Sequence, residues 1–183
     1  MMMKRILFIL TMLACFAVQR IDAQEISLKT SATMWLTATP NIEVSFPLSK
    51  QLTVHLPVMY NPWVIGDGSR FQQLTTMPGI RWWKQQANVH YFASLYAVAA
   101  RYHIGGWFGH DYRYDGTAYG PGIGVGYSYV LNRHWNIEAE IGAGYLYTDY
   151  DKCGWKKNSH LYAHESGWKL LPTKFDVSFV YFF

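Results

Sequence analysis

The sequence predicts an all-β fold: an eight-stranded antiparallel up-and-down transmembrane β-barrel. Three observations predict it. The 183-residue chain is 50% hydrophobic and 17% aromatic but only 15% charged, against roughly 25% charged in soluble domains. Short stretches of period-2 alternation recur along it, separated by turn residues. The last stretch runs into the carboxyl terminus with Phe175, Val177, Phe179, Tyr181 and Phe183 at every second position.

Composition excludes the neighbouring classes. Mean hydropathy is −0.06, and beyond residue 20 no apolar run approaches the roughly 18–20 residues a spanning helix needs. Fourteen Tyr, ten Phe and eight Trp are too many for a disordered chain. The length suits one domain.

The first residues read as an address. Lys4 and Arg5 precede an apolar run from Ile6 to Val18, and Ala23 offers a small residue for cleavage. This is the grammar of a secretory signal peptide over residues 1–23, leaving residues 24–183 as the barrel domain. Cleavage there removes Lys4, Arg5, Arg20 and Asp22, so the net charge falls from +4 to +2. The pI of about 9.0 therefore owes something to the signal, and no nucleic-acid partner is read from it. Met12-Leu13-Ala14-Cys15 loosely resembles a lipoprotein box, although the apolar run continues through Phe16-Ala17-Val18. With Cys15 in the signal, Cys153 is the one mature cysteine, and no intrachain disulfide forms.

Eight segments follow. Segment one is Ser27–Ala38. Segment two, Asn41–Leu48, sets Ile42, Val44 and Phe46 against Asn41, Glu43 and Ser45. After the turn Ser49-Lys50-Gln51, segment three is Leu52–Trp63, and a loop with Pro62, Gly66, Asp67 and Gly68 ends it. Segment four, Phe71–Trp83, turns at Lys84–Asn88 into segment five, Val89–His103. Loop Gly105–Ala118 leads to segment six, Tyr119–Leu131. The turn Asn132–His134 leads to segment seven, Trp135–Thr148. Loop Asp149–Leu171 leads to segment eight, Thr173–Phe183. Short turns on one side and longer loops on the other are the pattern of outer-membrane barrels. The terminal strand, ending in Phe183 with Tyr181 and Phe179 before it, resembles the β-signal read by barrel-assembly machinery.

The apolar phase is expected to face lipid and the other phase the lumen. In segment seven Trp135, Ile137, Ala139 and Ile141 face out, while Asn136, Glu138, Glu140 and Gly142 face in. In segment six Gly120, Gly122, Gly124 and Gly126 face in and leave room for larger side chains opposite. Extending the phase predicts a lumen charge network of Lys29, Glu43, Arg81, Glu138, Glu140, Lys174 and Asp176, with His55 among them and Arg101 joining if its strand has that phase. Buried charges must be paired, and eight strands enclose an interior that side chains can just fill. A plug of salt bridges is the expected outcome, and a narrow proton or ion path is the alternative. Two aromatic belts are expected, one of Phe46, Trp82, Tyr129, Trp135 and Tyr181, the other of Tyr60, Trp63, Tyr119, Tyr145 and Tyr147.

Certain strings carry a family resemblance: Thr39-Pro40-Asn41, Tyr60-Asn61-Pro62-Trp63, Pro78-Gly79-Ile80-Arg81-Trp82-Trp83, and Arg133-His134-Trp135-Asn136-Ile137-Glu138-Ala139-Glu140-Ile141-Gly142-Ala143-Gly144-Tyr145. Through them the chain resembles a Bacteroidetes-type small outer-membrane barrel family catalogued only as a domain of unknown function. The resemblance implies a small outer-membrane barrel of a Gram-negative-type bacterium, sometimes encoded near fimbrial assembly genes, and it implies no activity. Gly79 departs from the acidic residue expected there and removes one lumen partner for Arg81.

Catalytic and metal candidates are few. Ser–His chemistry needs an activated hydroxyl beside an oriented imidazole. His103, His110, Asp111 and Asp115 lie in one loop region, and Ser159, His160, His164, Glu165 and Ser166 in another. None shows the His-x-Ser-Asn strand motif that deacylase barrels carry. His160 and His164 with Asp149 and Asp151, or Cys153 with His110, have no metal-ligand spacing. The expectation is no enzyme, no metal and no cofactor. The expected partners are outer-membrane lipid and lipopolysaccharide, the assembly machinery, and an envelope or fimbrial protein met through Gly105–Ala118 and Asp149–Leu171, where Trp107, Phe108, Tyr112, Tyr114, Trp155, Tyr162 and Trp168 suit protein or glycan contact. A lipid A-modifying enzyme and a narrow channel are the alternatives.

Overall fold

The structure is a computed structural model and describes residues 26–65, 69–105, 112–154 and 161–183. The expected signal segment, residues 1–23, lies outside the described residues. So do Gly66, Asp67, Gly68, Trp107, Phe108, His110, Asp111, Trp155, Ser159 and His160.

The elements are β1 (Ser27–Ser31), α1 (Ala32–Leu36), β2 (Asn41–Ser49), β3 (Leu52–Asn61), β4 (Val64–Ile65), β5 (Ser69–Thr76), β6 (Gly79–Trp83), β7 (His90–Gly105), β8 (Tyr112–Val130), β9 (Trp135–Gly154) and β10 (Leu161–Phe182). Every ladder is antiparallel, and β1 closes on β10 with Ser27 opposite Phe182. β5 and β6 both lie between β3 and β7. They are two halves of one stave, interrupted at Met77-Pro78, where proline cannot donate to a ladder. The result is a closed eight-stave barrel with β4 as an extra short strand.

Segment one is shorter than its sequence suggested. Its strand ends at Ser31, whose side chain accepts from Met34 N–H and caps α1. A polar alternation stops there, and a serine followed by Ala-Thr-Met-Trp-Leu starts a helical turn instead. The two long loops are corrected more strongly. Tyr112–Ala118 belongs to β8, and Asp149–Gly154 and Leu161–Leu171 belong to β9 and β10. Polar residues stand on both faces of these stretches, mixed with Trp168, Leu170 and Leu171, so the ladder continues where the regular apolar–polar alternation has gone.

The barrel is consequently lopsided. Taking the end with the short turns as the lower rim, β8, β9 and β10 run 19, 20 and 22 residues upward. β1, β2 and β3 run 5, 9 and 10. About 9–11 residues suffice to cross a bilayer, so the wall β7–β10 rises well beyond that height and the opposite wall does not.

Burial is inverted relative to a soluble protein. Ile123, Ile141, Leu170 and Phe175 are exposed, while Arg81, Glu138, Glu140 and Ser178 are buried. The glycines predicted to face inward make room as expected: a Cβ at Gly122 would stand 2.3 Å from the Tyr96 ring, and one at Gly126 would stand 2.3 Å from Phe92. Trp83 and Phe92 pack at 4.6 Å near the lower end. Met77, Tyr96, Val98, Ala118 and Leu146 form an apolar cluster above the charges.

Candidate functional site

Glu140 sits at the centre of the lumen, on β9, facing inward because it shares phase with Asn136 and Glu138. Its carboxylate meets Arg81 at 3.1 Å and Lys174 at 2.8 Å, and it accepts from the Ser94 hydroxyl at 2.7 Å. Arg81 also reaches Glu43 at 2.6 Å. Lys29 lies 3.3 Å from Glu138, 3.2 Å from Asp176 and 3.8 Å from Glu140. The Asp176 carboxylate accepts from the hydroxyls of Ser31, Thr33 and Ser178. All seven residues named from the sequence are thus joined in one network.

Sequence phase located the charges but not their neutral support. Ser94 and the three hydroxyls on Asp176 were not foreseen, nor were the rings that roof the cations. The Arg81 guanidinium lies 5.2 Å from the Phe92 ring centre and the Lys174 ammonium 4.2 Å from that of Tyr96. The signal was present, since Ser94, Phe92 and Tyr96 share one strand phase. Arg101, whose place depended on the phase of its strand, does not join the network: it is exposed on the outer face of β7, opposite Leu74 and Thr117. Gly79 costs Arg81 nothing, because Glu43 and Glu140 already hold it. A Cβ at Gly79 would also stand 2.4 Å from the Leu95 carbonyl. His55 is fully buried, and neither of its ring nitrogens has a hydrogen-bond partner among the described residues. A cavity of about 160 Å³ lies between the network and Met34 of α1, reaching Glu43, Glu140, Lys174 and Asp176. It has room for several waters.

The outer face carries the predicted aromatics. Phe46, Trp82, Tyr129 and Trp135 are exposed low on the barrel, and Tyr60, Trp63, Tyr119 and Tyr145 are exposed higher up. Tyr181 and Tyr147 are half-buried. Tyr145 stacks on Trp168 at 5.1 Å. Phe179 in β10 and Phe183 just beyond it are exposed, and Tyr181 packs edge-on against Trp135 and Phe183.

Of the described catalytic candidates, His103, Asp115 and His164 fall on the outer face of the tall wall, whereas Glu165 has the opposite phase of β10. His103, Asp115, Asp151 and His164 stand in one row across β7, β8, β9 and β10. His103 Nδ1 lies 3.1 Å from Asp115, which also holds Arg113 at 2.7 Å. His164 is set between Asp151 at 2.8 Å and Asp149 at 3.6 Å. The hydrogen bond to Asp151, then the charge of Asp149, raises the His164 pKa above its ordinary value. A hydrogen bond from Tyr150 lowers that of Glu165. Among the described residues no three His, Cys, Asp or Glu side chains converge on a common metal position.

The fold and its charged interior define a closed, small β-barrel with an apolar exterior. Within that class, the family model described as protein of unknown function (DUF3575) matches residues 6–183, and the chain belongs to that family. No curated protein matches the chain.

Proposed function

We propose that the protein is an outer-membrane barrel with a non-conducting lumen, whose role is structural or one of surface interaction carried by the tall wall. The observation that carries this reading is the inverted burial: charged residues buried in a connected network and aliphatic and aromatic residues exposed outside. In water, a surface so apolar is an association site; in lipid it is what a barrel exterior requires. Charges removed from solvent are tolerated when each has partners, and Lys29, Arg81 and Lys174 each have at least one carboxylate within 4 Å. The partners this reading implies are outer-membrane lipid and lipopolysaccharide around the exterior, the barrel-assembly machinery at Phe179, Tyr181 and Phe183, and an envelope or fimbrial protein at the tall wall.

Cell fractionation with heat-modifiable gel migration tests the location, and planar-bilayer recording tests the lumen. The full chain should appear as a heat-modifiable outer-membrane species. Removing Phe183, or Phe183→Asp, should shift it to periplasmic aggregate or degradation products. Purified protein should insert without stable conductance. A soluble periplasmic species, or large steady channels, would defeat the reading.

A further inference from the structure

The outer face of β6 to β10 is not level. One row of opposed residues crosses it: Trp82, Ala93, Val125, Ile141 and Phe175. A second row, one step nearer the short turns, is Tyr91, Tyr127, Ala139 and Val177. Ala93 and Ala139 are single methyl groups set among much larger side chains, so the surface sinks between the flanking rings. Trp82 is 54%, Tyr91 62% and Phe175 76% exposed. The hollow between them has a volume of about 640 Å³, is lined almost wholly by carbon, and reaches the strand backbone at Gly126.

One end of the hollow is charged. Lys84 lines it directly after β6, where its N–H donates to the Tyr91 carbonyl at 3.0 Å. Its side chain is exposed, and its ammonium meets no carboxylate among the described residues. Glu140 and Asp176 border the hollow from the inward phase, and their carboxylates belong to the lumen network. Lys50 and Arg133 are exposed in the other two short turns, and residues 49–51, 84–89 and 131–134 contain no acidic side chain. The short-turn rim is therefore basic, whereas the tall end carries Asp115, Asp149, Asp151 and Glu165 among its bases.

We infer that this hollow is a binding site for a diacyl phospholipid with a net negative headgroup. An acyl chain lies over Ala93 and Ala139, and the phosphate sits on Lys84. This deepens the outer-membrane reading and rests on it. The lipid belongs to the leaflet on the short-turn side, because that is where the base stands. Bases beside an apolar surface attract anionic headgroups, and Trp82 and Tyr91 are rings of the kind that sit at headgroup level. A second copy of the barrel fits less well. Two copies meeting through this face about an axis along the membrane normal would set two Lys84 side chains at one height with no acid between them.

The full-length barrel in detergent is titrated with phosphatidylglycerol or with phosphatidylcholine of the same chains, and bound lipid is counted by native mass spectrometry. One phosphatidylglycerol per barrel is expected, held roughly fivefold more tightly than phosphatidylcholine. Lys84→Gln should bring the two lipids level. Lys84→Arg should keep the preference, and Lys50→Gln with Arg133→Gln should lower it less. Ala93→Phe with Ala139→Phe fills the hollow and should remove the one-to-one species for both lipids; if that variant fails to fold, the Lys84 variants still decide. Glycerol phosphate, which has no chains, should not displace the lipid. The site is overturned by equal binding of both lipids to the wild type, by wild-type preference in Lys84→Gln, by wild-type binding in a folded filled variant, or by displacement with glycerol phosphate. Heat-modifiable migration and vesicle insertion of the same samples separate the two readings. A folded, inserting barrel without the preference defeats the lipid site alone, and failure of the wild type to insert defeats both.

Discussion

The two walls of this barrel solve different problems. The low wall, β1 to β3, has strands of 5, 9 and 10 residues, no longer than a bilayer crossing needs, and turns the paired charges Lys29 and Glu43 and the buried, unpaired His55 inward. The tall wall, β7 to β10, contributes Glu138, Glu140 and Lys174 to that interior and then continues upward with polar and aromatic residues on both faces. Below, one face of each strand must be apolar and the other must be satisfied by partners. Above, neither constraint holds, and the sheet is maintained by its ladders together with exposed side-chain contacts such as His164–Asp151 and Tyr145–Trp168. Stability is thus expected to reside in the shared lower section and recognition in the unshared upper one, a division that substitutions can test.

Arg81 should show the largest effect. It is 2% exposed and joins Glu43 to Glu140. Arg81→Ala leaves two carboxylates short of a partner, and breaking a buried pair in this way costs about 3–5 kcal/mol. The urea midpoint of the heat-modifiable band should fall accordingly. Retention of the wild-type midpoint would mean that water already solvates the lumen.

Gly122 comes next. A Cβ there would overlap the Tyr96 ring, so Gly122→Ala should cost about 1–3 kcal/mol as overpacking. Pairing it with Tyr96→Ala should relieve part of that loss. If the double variant is as unstable as the sum of the singles, the ring and the glycine are not coupled in the way their contact implies.

The upper wall should tolerate far more. Thr148 and Gly167 face each other across β9 and β10, and the Thr148 hydroxyl donates to the Gly167 carbonyl. Replacing residues 149–166 by a short Gly/Ser turn joins two positions that are already neighbours. The shortened chain should insert and keep its heat-modifiable migration, while partner crosslinking in the envelope disappears. Loss of folding would show that the upper sheet supports the barrel.

The same division explains what was readable in the sequence. Glu138, Glu140 and Arg81 were placed inside because their strands alternate cleanly against Ile137, Ile141 and Trp82. Asp149–Gly154 and Leu161–Leu171 gave no such contrast, so a ladder read as a loop. The break at Met77-Pro78 was hidden because the alternation resumes on the far side of the proline. That upper β10 pairs with β9 alone among the described residues was invisible for another reason: it follows from where β1 ends, a matter of pairing rather than of pattern. Ser31 as a helix cap was available as a signal, but an alternating polar run outweighed it.

The smallest expected effect is a pH dependence confined to the upper sheet. His164 bridges from β10 to Asp151 and Asp149 on β9, and its pKa is raised. A raised value in the folded state means that the bridge contributes fully below the ordinary histidine pKa of about 6.5. That contribution is lost as the pH climbs through the raised value. Hydrogen exchange, corrected for its intrinsic pH dependence, should show amides of Asp149–Gly154 losing protection as the pH rises from about 6.5. Amides around Glu138 and Glu140 should not change, since His164 lies far up the wall from them. His164→Gln should flatten the profile at the less protected level. If the profile is flat in the wild type, or survives in His164→Gln, the imidazole does not clip the two strands, and the upper wall is held by its ladder and by the Tyr145–Trp168 stack alone.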